Sequence, residues 1–302
     1  MSIPVVILGP TASGKSDVAM AFARRRRGTE IVAVDAMQVY RSMNIGTAKP
    51  TAADVADVPH HGLDLVDPHE ECTVVEFEAA VRPVLADIER RGGQALLVGG
   101  TGLYLRSLTD PMEVPGRWPD VRARLEARVG GEGSAVLHAE LDALDPIAAA
   151  RMEPSNERRV VRALEVTLGS GRPFSSFGPG LDQYPPVRFV QVGIRWERSV
   201  LTERIRLRVL RMVEAGLVAE VEGLLAARLP LSRTARQALG YKEMIDHLEG
   251  RCSLEGAIET IVLRTRQFAV RQERWFRRDP RVRWVQVEDD PVAEVLPVLE
   301  EL

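Results

Sequence analysis

The sequence has 302 residues, of which 45% are hydrophobic and 27% are charged, and its formal net charge at pH 7 is −3. These values are typical of a globular protein, and with only two cysteines they exclude a disordered chain and a disulfide-rich scaffold. No apolar stretch approaches the length that spans a membrane, and no basic region precedes the short apolar run at the N-terminus. We therefore expect a cytoplasmic protein without a secretory signal.

The first third of the chain alternates predicted strands and helices. Residues 3–8 form an apolar run rich in β-branched side chains, residues 17–27 have helical spacing, and residues 30–34 form a second apolar run. After a predicted loop through residue 68, residues 74–90 predict a helix that stops at two glycines, and residues 94–98 predict a third strand. Strands that alternate with helices favour an α/β fold with a mostly parallel sheet.

The composition changes between residues 111 and 119, and the pattern is then helical to about residue 186, with one helix predicted from about 156 to 168. Strand character returns at residues 187–196, and the remainder is mostly helical apart from a last predicted strand at 282–287. We therefore predict a core made of residues 1–112 and 187–302, with a helical C-terminal part, and an inserted helical subdomain at residues 113–186.

A phosphate-binding pattern follows the first predicted strand and opens the first predicted helix. Its glycines allow backbone N–H groups to close around phosphate oxygens, and the helix N-terminus adds partial positive charge. Lys15 supplies a mobile positive charge, and the Ser16 hydroxyl can bind Mg²⁺. The pattern indicates a P-loop NTPase-like sheet and a phosphate or diphosphate ligand held by Gly9, Pro10, Thr11, Ala12, Ser13, Gly14, Lys15 and Ser16.

Two polar residues follow the second and third strands. Ligands of open parallel sheets bind beyond the carboxyl ends of the strands, so Asp35 and Thr101 should converge on the phosphate loop. Asp35 is a candidate general base or metal-site carboxylate, or else a turn-forming residue, and Thr101 projects a hydroxyl or belongs to a simple glycine-rich turn. The third strand ends in glycines instead of the aspartate that a P-loop motor ATPase carries there, which argues against a nucleotide-driven motor.

Basic residues are concentrated near the C-terminus. Residues 264–283 contain eight arginines and two acidic residues, a local balance of +6 that leaves −9 for the rest of the chain. The interleaved Trp275, Phe276 and Trp284 suit base stacking or core packing, and we favour core packing for Trp284. A preceding predicted helix places Arg204 and Arg208 on a face away from its apolar stripe, where they bind an anion or form a solvated surface.

Four segments together resemble the bacterial tRNA dimethylallyltransferases. They are Gly9–Ser16, the run Asp35-Ala36-Met37-Gln38-Val39-Tyr40-Arg41, the run Ile45-Gly46-Thr47-Ala48-Lys49-Pro50, and the run Val98-Gly99-Gly100-Thr101-Gly102-Leu103-Tyr104. Later segments continue in the family's order, so the resemblance spans nearly the whole chain. It implies a P-loop-kinase-like core with a helical insertion and a channel, entered on one side by dimethylallyl diphosphate and on the other by a flipped adenine.

The resemblance also implies roles for individual residues. Asp35 would accept the proton of the adenine N6 amine, Thr101 would hydrogen-bond near that nitrogen, and Arg204 or Arg208 would stabilise the leaving diphosphate, with Mg²⁺ at Ser16. The substrate would be the adenosine 3′-adjacent to the anticodon, position 37 of tRNA, recognised by a monomer on the anticodon stem-loop. The implied tRNA contacts are Asp35, Ala36, Met37, Gln38, Thr101, Arg122, Arg158, Arg159, Arg162, Arg236, Gly240, Tyr241, Lys242, Arg271, Gln272, Arg274, Trp275 and Arg277.

The sequence departs from the family pattern at Ala36, where the family has serine, and around residues 62–65. A small-molecule P-loop kinase is the alternative, because an aspartate after the second strand also suits phosphoryl transfer to a hydroxyl. A non-enzymatic RNA-binding protein would leave Lys15 and Asp35 without a role. The adjacent His60 and His61 cannot share one face as metal ligands, and we interpret them as loop residues.

Overall fold

The computed structural model describes residues 3–178, 180–181 and 183–302. Two compact units form within these ranges, one of residues 3–109 and 186–302 and the other of residues in the range 110–185. No helix in the described part of the chain is both long enough and apolar enough to cross a membrane.

The helices and strands follow one another along the chain with these bounds: β1 (Val5–Leu8), α1 (Lys15–Arg25), β2 (Thr29–Val34), α2 (Ala52–Asp57), β3 (His60–His61), α3 (Val74–Arg90), β4 (Gln94–Gly99), α4 (Gly102–Thr109), α5 (Pro119–Glu132), α6 (Ser134–Leu144), α7 (Pro146–Ala149), α8 (Glu157–Ser170), a 3₁₀ turn (Phe174–Ser176), β5 (Val190–Trp196), α9 (Arg198–Glu214), α10 (Leu217–Leu225), α11 (Arg233–Arg236), α12 (Tyr241–Leu248), α13 (Leu254–Phe276), β6 (Val282–Val287) and α14 (Pro291–Glu300).

The larger unit is built on a sheet with the strand order β3-β2-β4-β1-β5-β6, in which every pairing is parallel. β1, β2 and β4 are buried along their whole length, as expected for strands covered on both faces. The connections through α1 and α3 cross the sheet in opposite directions, and right-handed crossovers therefore place these helices on opposite faces. The predicted α/β class with a parallel sheet is confirmed.

Local signals explain where several elements begin. α3 starts at a reciprocal capping box, in which the Thr73 side chain accepts from the Glu76 N–H and the Glu76 carboxylate accepts from the Thr73 N–H. The bounds of this helix and of β6 coincide with the predicted ones. The strands predicted at 30–34 and 94–98 each gain one residue.

The predicted loop before residue 68 contains two elements that have no periodicity in the sequence. α2 has only six residues, and β3 consists of His60 and His61 paired to β2 at the edge of the sheet. The interpretation of the two histidines as loop residues is therefore wrong. His61 Nε2 lies 2.7 Å from the carboxylate of Glu30, a buried residue of β2, which explains why a polar side chain occurs there.

The smaller unit contains α5 to α8 and has a core of its own. Leu137, Leu141, Val160 and Leu164 are fully buried in it. Glu165 is 1% exposed and lies between Arg122 and Arg162, so its charge is compensated inside the unit. The division between the two units falls at 109/110 and 185/186.

Candidate active site

Three strands end side by side at the carboxyl edge of the sheet. The register aligns Val34, Gly99 and Leu8, the last residues of β2, β4 and β1, so the residues that follow them leave the sheet at the same level. Asp35 follows β2, the turn of residues 100–101 follows β4, and the phosphate loop follows β1. Because β4 lies between β2 and β1, Asp35 stands about 10 Å from the start of the phosphate loop, which leaves space for a small group between them.

The phosphate loop, residues 9–14, is held from outside by side chains of distant elements. Arg204 Nε donates to the Ala12 carbonyl at 2.9 Å, and Trp196 Nε1 donates to the Ser13 carbonyl at 3.0 Å. The Arg204 guanidinium also lies over the Trp196 ring, 4.2 Å from its centroid. Ala12 has φ +63°, a left-handed conformation that costs about 1 kcal/mol or more for a residue with a side chain. These bonds therefore hold a strained backbone.

Lys15 is the first residue of α1 and folds back over the loop. Its Nζ donates to the Pro10 carbonyl at 2.6 Å. Burial, together with repulsion from Arg208, lowers the pKa of Lys15 to about 7, although Asp35 acts in the opposite direction. In this state the ammonium lacks a full counter-charge, and an anion bound in the loop would supply one.

Arg208 differs from Arg204 in what it contacts. Among the described residues, its guanidinium has no hydrogen-bond or ion-pair partner. Burial lowers the pKa of Arg208, whereas the negative charges of Asp35 and Asp17 raise it. An unpaired, partly buried guanidinium is energetically unfavourable, and it is a strong site for a bound anion.

The Asp35 carboxylate is oriented by its own turn. Oδ1 accepts from the Met37 N–H at 2.8 Å and from the Gln38 N–H at 3.3 Å. No donor within the described chain bonds to Oδ2. Thr101 Oγ1 accepts from the Ala36 N–H at 3.3 Å, which ties the turn after β4 to the turn after β2. Asp35 is thus a turn-forming residue, and its second oxygen is available to a ligand.

Two cavities meet at these residues. The loop cavity, about 520 Å³, is lined by the phosphate loop, the start of α1, and Arg204, Arg208 and Arg211. The helical cavity, about 810 Å³, is lined by Met37, Thr101 and side chains of α9, α12 and α13. Both volumes fall in or near the range of about 300–1,000 Å³ typical of small-molecule sites. The residues that line both cavities are Thr11, Asp35, Thr47, Gly100, Arg208, Phe268 and Gln272.

This geometry can be compared with known proteins. A family model described as IPP transferase matches residues 38–279, and one described as isopentenyl transferase matches residues 3–68. The tRNA dimethylallyltransferase of Kineococcus radiotolerans is 48% identical, with 98% of this chain and 98% of that protein covered. The tRNA dimethylallyltransferase of Streptomyces coelicolor is 47% identical, with 93% and 89% covered. The chain belongs to the tRNA dimethylallyltransferase family.

Solved structures of the family share the fold. The tRNA isopentenylpyrophosphate transferase of Bacillus halodurans has a TM-score of 0.69 at 38% identity and covers 99% of this chain and 96% of its own. A eukaryotic dimethylallyltransferase, described as acting on tRNA, has a TM-score of 0.78 at 28% identity and covers 95% of this chain and 74% of its own. The predicted family membership and the predicted class of enzyme, a transferase, are confirmed.

The two cavities bring together ten of the eighteen residues that the family resemblance implied as tRNA contacts, among them Asp35 and Thr101. Ala36, Met37, Gly240 and Tyr241 line the helical cavity. Arg271, Gln272 and Trp275 of α13 line it as well. Gln38 lines the loop cavity, and its amide donates to the carbonyls of Thr47 and Ala48, both at 3.1 Å. Tyr241 is buried, and its hydroxyl donates to Glu220 at 2.6 Å.

Other expected tRNA contacts line neither cavity. Arg236 forms an ion pair with Glu249, and Lys242 forms one with Asp246. Arg274 and Arg277 lie near the C-terminal end of α13, and Arg277 is 4.0 Å from Glu273. The remaining ones, all on the smaller unit, are Arg122, Arg158, Arg159 and Arg162.

One aromatic residue of the basic segment is not available to bases. Phe276 is 4% exposed and belongs to the core of the larger unit, so it cannot stack on RNA. Trp284 packs against the backbone at Gly193 of β5, as core packing predicts. Trp275 is the member of this group that lines a cavity.

Sequence reasoning missed several residues of the site. Thr47 and Phe268 line both cavities, and Gln237, Arg264 and Thr265 line the helical cavity. The run Ile45–Pro50, part of the resemblance, was a signal for Thr47. Arg264 forms an ion pair with the buried Glu243, so its position is fixed by the protein itself.

The residues around Ser16 fit a magnesium ion that a diphosphate brings with it. Ser16 is exposed in the first turn of α1, and Asp17 and Asp54 line the same cavity. No group of three or more potential metal ligands occurs among the described residues. Mg²⁺ commonly takes one or two protein ligands and completes its shell with phosphate oxygens and water, which matches this sparse set.

Proposed function

We propose that this protein transfers the dimethylallyl group of dimethylallyl diphosphate to N6 of the adenosine 3′-adjacent to the anticodon of tRNA and releases diphosphate. One observation carries the proposal: Asp35 and Arg208 stand where a phosphate-binding cavity and a larger, base-sized cavity meet. Membership of the tRNA dimethylallyltransferase family supports the choice of both substrates.

The reaction breaks the bond between the allylic carbon and the diphosphate oxygen and forms a bond between that carbon and N6. The exocyclic amine is a weak nucleophile, because its lone pair is delocalised into the ring. The allylic carbon tolerates positive charge, so the main demand is to stabilise the negative charge that develops on the departing diphosphate. Preorganised positive groups meet such a demand most effectively.

Lys15, Arg208 and the N–H groups at the start of α1 meet this demand in the loop cavity. Arg208 is the better candidate for direct contact, because its guanidinium lacks a partner within the described chain. Arg204 already bonds to the Ala12 carbonyl and stacks on Trp196, so we assign it the role of holding the loop. Mg²⁺ at Ser16 would add positive charge on the diphosphate.

Asp35 Oδ2 takes the proton that N6 loses. The turn hydrogen bonds to Oδ1 keep the carboxylate in place, and a base needs only to lie within about 2.6–3.2 Å of the amine. Thr101, fixed through the Ala36 N–H, places its hydroxyl beside the same position. The Ala36 side chain adds no hydrogen-bonding group there.

The adenine must leave the anticodon loop to reach Asp35, at a cost of a few kcal/mol. Contacts to the rest of the anticodon stem-loop offset this cost. We assign them to α11–α13 of the larger unit and to the inserted subdomain, residues 113–186, through Arg122, Arg158, Arg159 and Arg162. Our proposal includes action as a monomer, on tRNA in the cytoplasm.

Incubation with unmodified tRNA and either labelled dimethylallyl diphosphate or γ-labelled ATP tests the proposal. We expect label in RNA only from the prenyl donor, and expect a tRNA with guanosine at the target position to stay unlabelled. Absence of any prenyl transfer would defeat the proposed function. Transfer of phosphate from ATP would also defeat it and would favour the kinase alternative.

A further inference from the structure

Gln272 connects helix α13 to the phosphate loop. Its Oε1 accepts from the Thr11 N–H at 2.8 Å, and its Nε2 donates to the Gly100 carbonyl at 3.0 Å. The side chain is 6% exposed, so both ends of the amide are engaged inside the protein. Loss of one partner in such a buried pair leaves a backbone group without a hydrogen bond. In this arrangement Gln272 binds the protein backbone and does not present its amide to RNA.

Helix α13 is in direct contact with the turn after β4. A Cβ atom at Gly100 would lie 2.2 Å from Gln272 Nε2, and one at Gly102 would lie 2.1 Å from Trp275 Nε1. Only glycine permits this approach at either position. Thr101 lies between the two glycines and bonds to the turn of Asp35. A shift of α13 must therefore move the turn, and through Gln272 it must also move the phosphate loop.

The same helix carries basic side chains that the protein leaves unpaired. Within the described chain, neither Arg271 nor Arg274 has an ion-pair or hydrogen-bond partner. Arg271 directly precedes Gln272, and Trp275 follows it by about one helical turn. Both side chains line the helical cavity. An RNA phosphate or base bound by these residues would therefore contact α13 next to Gln272, the residue that bonds to Thr11 and Gly100.

We propose that Gln272 is a positioning residue that couples tRNA binding on α13 to diphosphate binding in the loop cavity. This inference rests on the proposed function for the identity of the two ligands. Binding of tRNA fixes the position of α13 and, through Gln272, holds the phosphate loop in its binding conformation, so each ligand raises the affinity of the other. Thermodynamic linkage requires the same factor in both directions.

The test is a binding cycle that involves no chemistry. The dissociation constant of inorganic diphosphate with Mg²⁺ is measured in the presence and absence of saturating unmodified tRNA, and the ratio is the coupling factor. We expect a factor within the range of about 5 to 150 for the wild type, typical of coupled sites. Gln272→Met keeps the length of the side chain but loses both hydrogen bonds, and its factor should fall close to one.

Gln191→Met is the matched control. Gln191 is also 6% exposed, lies on β5, and its Nε2 has no hydrogen-bond partner within the described chain. This variant should keep the wild-type coupling factor. Loss of a side chain that only stabilises the fold would lower the stability of the protein, or would weaken diphosphate binding equally with and without tRNA. The coupling factor would then stay unchanged, so this factor distinguishes a positioning role from general stabilisation.

A wild-type factor of one, or an unchanged factor in Gln272→Met, overturns the inference. Should Gln272→Met fail to fold, Gln272→Glu serves instead, because it keeps the acceptor for Thr11 and loses the donor to Gly100. Its coupling factor should be lower than that of the wild type, and an unchanged factor again overturns the inference. Failure of the proposed function is seen separately, as absence of prenyl transfer by the wild type.

Discussion

The loop cavity and the helical cavity are built in different ways. The loop cavity takes most of its binding groups from one contiguous segment, whose backbone N–H groups and helix N-terminus suit any phosphate. The residues that line the helical cavity are spread along the sequence from Thr11 to Trp275. They lie on α9, α12 and α13 and at the ends of the strands. Under the proposed function, recognition of the diphosphate charge is therefore local and general, whereas recognition of the base depends on tertiary packing.

The difference indicates where substitutions should act. Residues of the junction, Asp35 and Arg208, face both cavities and should affect the chemical step most strongly. Residues of the loop cavity should mainly affect diphosphate binding, and residues of α13 should mainly affect tRNA binding. Each of the following predictions tests that separation.

Asp35→Asn should have the largest effect. Its carbonyl still accepts from the Met37 and Gln38 N–H groups, so the turn is kept, but the amide cannot take a proton from N6. We expect single-turnover transfer to slow by about 10²- to 10⁴-fold, the usual contribution of a general base. tRNA affinity, measured by filter binding, should stay within about twofold of the wild-type value. An equal loss of rate and affinity would show that Asp35 is only structural.

Arg208→Ala and Arg204→Ala should separate rate from binding. Loss of Arg208 should lower kcat by about 10²- to 10³-fold, as removal of a group that stabilises transition-state charge does. Loss of Arg204 releases the Ala12 carbonyl and should mainly raise KM for dimethylallyl diphosphate. Steady-state kinetics of both variants provide the measurement. If Arg204→Ala carries the larger kcat defect, the two assignments must be exchanged.

The pH dependence of diphosphate binding should follow Lys15, whose pKa burial lowers to about 7. The charged form binds the anion, and the bound anion raises the pKa of Lys15. Affinity should therefore fall as pH rises above about 7, by at most tenfold per pH unit, with proton uptake on binding. Calorimetry of inorganic diphosphate in buffers of different ionisation enthalpy measures this uptake. The Lys15→Arg variant carries a positive charge at this position over the whole pH range, so it should show no proton uptake from it. If uptake persists in this variant, another group takes up the proton.

Substitution of the two unpaired arginines of α13 should have the smallest effect per residue and should act first on tRNA binding. If about five phosphates are neutralised, log affinity falls with log salt at a slope of roughly −3.5 for single-strand-like RNA. Arg271→Ala combined with Arg274→Ala should reduce the magnitude of that slope by about 1.4. Arg206→Ala is the control, since Arg206 pairs with Glu203 and lines neither cavity. An unchanged slope in the double variant would remove this part of α13 from the interface.

The same contrast between the cavities explains which residues of the site could be predicted from the sequence. The phosphate loop was predictable because its chemistry and its geometry lie within eight consecutive residues. Asp35 and Thr101 were predictable because parallel strands bring their carboxyl ends to one edge. Phe268 was not, because its place at the junction depends on how α13 packs. Nor could spacing distinguish Arg204 from Arg208, which lie one helical turn apart and differ only in their tertiary contacts.

The central claim is that one extruded adenine lies between the diphosphate and Asp35. A crystal structure with an anticodon stem-loop and dimethylallyl thiolodiphosphate, which resists cleavage, tests it most directly. Our account predicts the adenine N6 within about 3.2 Å of Asp35 Oδ2, with the diphosphate on Lys15 and Arg208. An adenine still stacked in the anticodon loop, or bound with N6 turned away from Asp35, would contradict it.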